Sequence, residues 1–130
     1  MARRFNSQAK GKVAERDICD RLNSVLGNGE KIFRRSMFAN DGVMFDVVGP
    51  SELGWAIEVK NTKNSAIPTW WRQACQQTTK AYPRPVLFYR LYRKEWQAIV
   101  GGKDASPAQV PAPMNMADFF RWAMKEMGND

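Results

Sequence analysis

Hydrophobic positions near the start of the chain recur at helical spacing. Within residues 10–26, apolar side chains fall at i, i+4 and i+7 or i+8, which is typical of a helix with one buried face. These positions are Ile18, Leu22, Val25 and Leu26. Gly27-Asn28-Gly29 follows and predicts the end of the helix. Residues 1–9 are basic and lack this periodicity, so we expect them to form a flexible arm.

Alternation of apolar and polar residues predicts strands further along the chain. The clearest case is WAIEVK at 55–60, where Trp55, Ile57 and Val59 share one face of the strand. VMFDVV at 43–48 precedes it across the turn-rich residues 49–54, so the two runs predict a hairpin. The other predicted elements are a strand over 31–35, a helix over 69–81, strands over 86–92 and 96–100, and a helix over 116–127.

The order of these elements, α-β-β-β-α-β-β with a final helix, predicts an α/β fold with a mixed or antiparallel sheet. We expect one domain over residues 10–100 and a Gly/Pro/Ala-rich linker over 101–113. The helix within 114–130 is then expected to pack on the domain or on a second subunit. Trp70 and Trp71 are candidates for stacking on exposed bases, although adjacent helical residues diverge and at least one is expected in the core.

The composition removes several chemistries. The 130 residues include no histidine and two cysteines, which excludes Ser-His-Asp and Cys-His catalysis and the usual His/Cys zinc sites. Catalysis would have to use carboxylates, lysine, tyrosine, a hydroxyl, a thiol, or a metal held by oxygen ligands, which favours Mg²⁺ or Mn²⁺. The remaining alternative is a protein that only binds.

Charge and hydropathy indicate the kind of partner. Twenty lysines and arginines against 13 aspartates and glutamates give a net charge of +7, which favours a polyanion such as nucleic acid. No apolar run approaches the roughly 20 residues that span a bilayer, so we expect no membrane partner. The basic start has no apolar signal core, and Cys19 and Cys75 are predicted to be reduced, so a cytoplasmic location is expected.

Acidic residues occupy positions where burial would normally exclude them. Asp46 interrupts the apolar run at 43–48, and Glu58 and Lys60 share one face of the next strand. In a hairpin closed through residues 49–54, Asp46 lies opposite residue 57 or 58, which brings it about 5 Å from Glu58 between Cβ atoms. Glu15 projects from the apolar stripe of the first helix and can reach the same place if that stripe packs on the sheet.

Two carboxylates in a partly dry site require a cation, and a divalent metal is the simplest one. Lys60 beside such a metal can orient or deprotonate a water molecule, or neutralise a phosphate. The alternative is a structural ion pair of Lys60 with Asp46 or Glu58 and no chemistry.

The same residues resemble a known family. Asp46 followed by Glu58-Val59-Lys60 resembles the D…(D/E)xK core of the PD-(D/E)xK nucleases, with Phe45 in place of the proline. KGKVAERDICDRL at 10–22 resembles the opening helix of archaeal-type Holliday junction resolvases, which also occur in phages. In that helix a Lys-Gly pair precedes an Ala-Glu-Arg whose glutamate joins the metal site, which here matches Glu15. The resemblance covers roughly residues 7–100.

This resemblance implies a restriction-endonuclease-like core and a function. The chain is expected to be a homodimeric phage or prokaryotic Holliday junction resolvase that cuts four-way junctions to 5′-phosphate and 3′-hydroxyl ends, without a nucleotide cofactor. One or two Mg²⁺ or Mn²⁺ ions per site would be held by Glu15, Asp46, Glu58 and the Val59 carbonyl, with Lys60 assisting the water. The expected DNA-binding residues are Lys10, Lys12, Arg34, Arg35, Ser36 and Gln73.

Other functions stay open on the sequence. One is another PD-(D/E)xK endonuclease of the restriction or repair type. A second is a basic DNA-binding module in which the acidic cluster is structural. A third is a protein-interaction domain that uses its terminal helix.

Overall fold

A computed structural model of the chain describes residues 2–37 and 41–128, with side chains in the first helix from residue 10 onward. The described elements are α1 Ala2–Val25, β1 Arg34–Arg35, β2 Val47–Val48, β3 Trp55–Thr62, α2 Ile67–Gln76, β4 Arg84–Leu91, β5 Gln97–Val100, β6 Met114–Asn115 and α3 Met116–Glu126.

The strands form one mixed sheet in the order β1-β2-β3-β4-β5-β6. Only β3 and β4 run parallel, in register from Trp55 opposite Arg84 to Thr62 opposite Leu91, and α2 makes the crossover between them. The other neighbouring strands of the described sheet are antiparallel. The predicted α/β class with a mixed sheet is therefore confirmed, and the hairpin formed by β2 and β3 is present.

Helices cover both faces of the sheet. Ile18 and Leu22 of α1 and Phe119 of α3 enter the main core with Ile57 and Phe88 from one face. The Phe119 ring lies edge-on to Phe88, with the ring centroids 4.8 Å apart. These contacts seat the last helix on the same core as the first one.

The opposite face packs against α2. Leu87 and Ile99 of the sheet form a second core with Trp70 and Trp71, which are both buried. The Trp71 Nε1–H also donates to the Ser106 carbonyl at 3.0 Å, which ties the segment after β5 to α2. The expectation that one of these tryptophans stacks on exposed bases is therefore wrong, because sheet side chains cover both rings.

Several boundaries differ from the predicted ones. The helical backbone of α1 begins at Ala2, so residues 2–9 are helical where the sequence predicts a flexible arm. The alanines, arginines and glutamine of residues 2–9 are good helix formers, and they extend a helix that is anchored by its apolar stripe. Residue 1 of the predicted arm lies outside the described residues.

The second helix also ends early. It stops at Gln76 instead of continuing to residue 81, because the Thr78 hydroxyl donates to the Cys75 carbonyl and the Thr79 hydroxyl accepts from the Tyr82 N–H. Such local side-chain bonds compete with the helical pattern.

Short strands are the other difference. The predicted strands over 31–35 and 43–48 are paired only at Arg34–Arg35 and Val47–Val48, and Met114–Asn115 adds a strand that the sequence does not predict. Two-residue strands are too short to show an alternating pattern. Within the described ranges, no helix combines the length and the apolar character that crossing a membrane requires.

Candidate active site

The hairpin formed by β2 and β3 positions Asp46. Val47 pairs with Ile57, and the Asp46 N–H donates to the Ile57 carbonyl at 2.8 Å. The Asp46 side chain then accepts the Val59 N–H at its Oδ2 atom, at 2.9 Å. The carboxylate of Asp46, immediately before the first residue of β2, is therefore held against β3 by a main-chain donor of that strand.

Glu58 lies beside Asp46 and is 1% exposed. Burial raises the pKa of both carboxyls above their ordinary values, and the charge of Asp46 raises the pKa of Glu58 further. Because the pKa of Glu58 rises to about 9, Glu58 keeps its proton near neutral pH when no cation is bound. The Glu58 Oε1 atom is buried and has no hydrogen-bond partner.

An open cleft of about 460 Å³ lies in front of this pair, at the start of β2, where β3 extends past it. The first helix contributes one wall and the end of β3, with the residues just after it, contributes the other. Its lining residues are Lys10, Gly11, Glu15, Asp46, Val59, Lys60, Asn61, Thr62 and Lys63. Glu58 is not part of the lining, since it is buried behind Asp46.

Glu15 reaches the cleft but is engaged by a cation of the chain. Its Oε1 atom accepts a hydrogen bond from Arg35 Nε at 3.0 Å. Its charge raises the pKa of Asp46 and of Glu58, which places it within electrostatic range of both. In the described part of the chain, no three Asp, Glu, Cys or His side chains form a ready metal-binding group.

A divalent cation fits the chemistry of the two sheet carboxylates. Glu58 Oε1 is a buried oxygen without a partner, and burial of two adjacent carboxyls favours a bound cation over two retained charges. The Val59 N–H points to Asp46, and a strand residue directs its N–H and C=O to the same side, so the Val59 carbonyl faces the cleft as well. Asp46, Glu58 and Val59 thus offer oxygen ligands of the kind that Mg²⁺ and Mn²⁺ prefer.

Lys60 lines the cleft on the same strand as Glu58. Its charge lowers the pKa of both Asp46 and Glu58, yet it belongs to none of the ion pairs within 4.0 Å among the described residues. The alternative of a structural ion pair between Lys60 and a strand carboxylate is not realised in this arrangement. The ammonium group is available to a phosphate or a water molecule in the cleft.

The predicted DNA-binding residues separate into several environments. Lys10 lines the cleft, whereas Lys12 is exposed on α1 and does not line it. Gln73 is half-buried on α2, outside the lining. The structure therefore brings one of these three residues to the cleft.

The basic segment before the hairpin of β2 and β3 is partly paired. Arg34 binds Asp41 through two hydrogen bonds, and Arg35 binds Glu15. Ser36 is buried, and its N–H donates to the Asp46 carbonyl at 2.8 Å. This segment supports the Asp46 backbone directly.

Sequence reasoning missed Asn61 and Thr62 in the cleft. The alternation of apolar and polar residues stops at Lys60, so the sequence predicts the end of the strand there. In the structure Asn61 pairs with Arg90 and Thr62 pairs with Leu91, so β3 continues for two more residues. The available signal was the run of two polar residues, Asn61 and Thr62, directly after the E-x-K segment.

The mixed sheet, the carboxylate pair on its central hairpin and the cleft beside α1 define a restriction-endonuclease-like core. Residues 6–116 match a family described as a phage PDDEXK endonuclease, and the chain belongs to that family. It is therefore an endonuclease of the PD-(D/E)xK type, a class that uses divalent metal ions on DNA. No curated protein and no solved structure matches the chain significantly.

Proposed function

We propose that the protein is a Holliday junction resolvase: a metal-dependent, structure-selective endonuclease that acts as a homodimer on four-way DNA junctions. One observation carries the proposal. The part of α1 that resembles the opening helix of such resolvases supplies Lys10, Gly11 and Glu15 to the cleft that holds Asp46 and Lys60. The two segments with family resemblance thus line one cavity.

The residues of the cleft support hydrolysis of a phosphodiester. Asp46, Glu58 and the Val59 carbonyl would hold Mg²⁺ or Mn²⁺, one or two per site, with Glu15 joining them if it leaves Arg35. A divalent ion held there would lower the pKa of a water molecule and would stabilise the charge that develops on the phosphate. Lys60 orients that water or binds a phosphate oxygen. Water oxygen bonds to phosphorus, the bond to O3′ breaks, and O3′ takes a proton, which leaves a 5′-phosphate and a 3′-hydroxyl.

A homodimer follows from the task of resolving a junction. Two opposed strands must be nicked, while the described part of each chain carries one carboxylate pair at this cleft. Selectivity would rest on the shape and charge of the branched DNA, because phosphate contacts position a protein without reading sequence. The net charge of +7 favours such contacts.

The test compares a four-way junction with a linear duplex of the same sequence, each with Mg²⁺ and with a chelator. We expect the junction to be cut into nicked duplexes only with the metal, at enzyme concentrations that leave the linear duplex intact. Equal cutting of the duplex would reject the resolvase function and favour a restriction or repair type of endonuclease.

Asp46→Asn is the matched variant, because it keeps the shape of the side chain and removes its charge. We expect cleavage to fall at least about 100-fold, as a loss of several kcal/mol of transition-state stabilisation implies. Junction binding should be retained or improved, since a negative charge leaves the cleft. Cleavage that persists in this variant would place the active site elsewhere.

A further inference from the structure

An exposed aromatic side chain lies next to the cleft. Tyr92 is 55% exposed, and the other exposed large hydrophobic side chains of the described residues are aliphatic valines and methionines. Lys63, which lines the cleft, places its Nζ atom 5.6 Å from the centroid of the Tyr92 ring. Arg93 places its Cζ atom 5.2 Å from the same centroid. The cleft therefore continues into an aromatic ring that is flanked by two cations.

The sheet explains this placement. Thr62 at the end of β3 pairs with Leu91 at the end of β4, in parallel register. Lys63 directly follows β3 and Tyr92 directly follows β4, so the two residues leave the sheet side by side at the edge where the cleft opens. The contact between them is fixed by the register of the central strands and does not depend on a long loop.

The turn that carries Tyr92 is well defined. The Lys94 N–H donates to the Leu91 carbonyl at 2.8 Å, and Arg90 Nε donates to the Lys94 carbonyl at 2.9 Å. Arg93 has a φ angle of 56°, a left-handed conformation that favours glycine or asparagine. A bulky cation at such a position adds local strain, which is characteristic of functional sites.

Packing does not account for the Tyr92 ring. The buried aromatic residues of the described cores, among them Trp70, Trp71 and Phe119, lie under helices or strands, whereas Tyr92 belongs to none of these cores. An exposed ring next to two cations fits a ligand that combines a flat π-face with phosphates. Bases in a continuous duplex are covered by their neighbours, so a ring of this kind can stack only on a base at an interruption.

We propose that Tyr92, Lys63 and Arg93 form a second DNA contact beside the cleft, where the ring stacks on an unstacked base at a branch and the two cations bind flanking phosphates. The proposal rests on the proposed function and specifies how a branch is told from a plain duplex. Lys63 and Arg93 are long, flexible side chains, so either can move from the ring to a phosphate when a base takes its place.

The experiment measures binding of the full chain, in chelator, to a four-way junction, to single-stranded DNA and to linear duplex. We expect Tyr92→Ala to weaken junction binding about 5- to 100-fold and duplex binding less than about two-fold, as the contribution of one base stack predicts. Tyr92→Phe keeps the aromatic face and should bind like the wild type. Equal binding by Tyr92→Ala and the wild type, or equal loss on junction and duplex, would overturn the proposal.

The cations have their own test. Arg93→Gly removes the charge and suits the left-handed backbone, and Lys63→Ala removes the charge next to the cleft. Each variant should reduce the slope of log Kd against log salt by about one. Lys94→Ala is the matched control, because Lys94 is in the same turn but lines a separate cavity with Tyr89 and Leu91. A loss of slope in Lys94→Ala as large as in the other two would contradict a specific contact.

Two outcomes separate this inference from the proposed function. If the wild type cuts junctions selectively and Tyr92→Ala does so equally well, the contact is rejected and the resolvase function stands. If the wild type shows no junction selectivity but binds single-stranded DNA through Tyr92, the resolvase function is rejected and the stacking contact stands.

Discussion

Arg35 and Glu15 form an ion pair with a 3.0 Å separation that joins β1 to α1 at the wall of the cleft. The pair is partly buried, with side-chain exposures of 31% for Arg35 and 18% for Glu15. Arg35 therefore compensates one of three carboxylates whose charges act on each other. It does locally what a bound cation would do for Asp46 and Glu58.

Without Arg35, a bound metal ion should be needed to compensate the charge of Glu15. In Arg35→Gln, Glu15 loses its cationic partner, so we expect a lower melting temperature in chelator and a larger increase on adding Mg²⁺ than in the wild type. Differential scanning fluorimetry measures both. Arg34→Gln is the matched control, since Arg34 pairs with Asp41 outside the cleft lining. An equal Mg²⁺ response in Arg35→Gln and the wild type would show that Arg35 and the metal do not share Glu15.

The buried carboxyl pair predicts an unusual pH dependence of stability without metal. Burial, then the charge of Asp46, raises the pKa of Glu58 above its ordinary value of 4.5. Above pH 4.5 the unfolded chain releases the Glu58 proton, whereas the folded chain keeps it. The free energy of unfolding is therefore highest at low pH and falls as pH rises through neutrality towards the folded pKa. Glu58→Gln removes the effect and should raise the melting temperature near pH 8 by about 5 °C, with little change near pH 5. Parallel pH curves for the two proteins would contradict the raised pKa.

Divalent ions should reverse this pH trend. A metal replaces the proton that the buried Glu58 carboxyl keeps, so the stabilising effect of the metal should grow as pH rises, because its binding then has less competition from protons. We expect a larger Mg²⁺-induced increase in melting temperature near pH 8 than near pH 6. Asp46→Asn should lose most of this increase at both values. An increase of the same size in Asp46→Asn would mean that the ion binds at another place.

The loop before β1 depends on one buried amide. The Asn23 Nδ2–H donates to the Phe33 carbonyl at 2.9 Å, and Asn23 Oδ1 accepts the Phe33 N–H at 2.7 Å. Asn23→Ala leaves both main-chain groups unpaired and should lower the free energy of unfolding by about 2–4 kcal/mol in urea denaturation. Ser24→Ala, at the next and exposed position, should change it by less than about 0.5 kcal/mol. A small effect of Asn23→Ala would show that water replaces the amide.

The regular elements with a long pattern were predictable. WAIEVK at 55–60 identified β3, and the apolar stripe of α1 identified the helix that covers it. The start of α1 and the end of α2 depend on helix extension and on threonine side-chain bonds that carry no hydrophobic period. β1 and β6 are two residues long, and their pairing is decided by neighbouring elements.

The site was predictable to the extent that a residue broke a pattern. Asp46 and Glu58 interrupt apolar strands, and Glu15 interrupts an apolar helical stripe, so their proximity follows from the hairpin and the packing of α1. The partner of Glu15 does not follow, because Arg35 lies 20 positions further along the chain. The exposure of Tyr92 does not follow either, because the aromatic residues before it in β4 are buried in the cores. Tyr92 is exposed because the turn between Leu91 and Lys94 carries it out of the sheet.

The turn closed between Leu91 and Lys94 is anchored by one main-chain bond and by the Arg90 side chain, and its middle faces solvent. Residues can be exchanged or inserted there without disturbing the packing of the sheet. With the proposed DNA contact at Tyr92, divergence among related chains can alter which DNA shape is accepted at this turn, while the proposed metal-binding carboxylates Asp46 and Glu58 keep their geometry on the hairpin. Substrate range and chemistry can evolve separately in this fold.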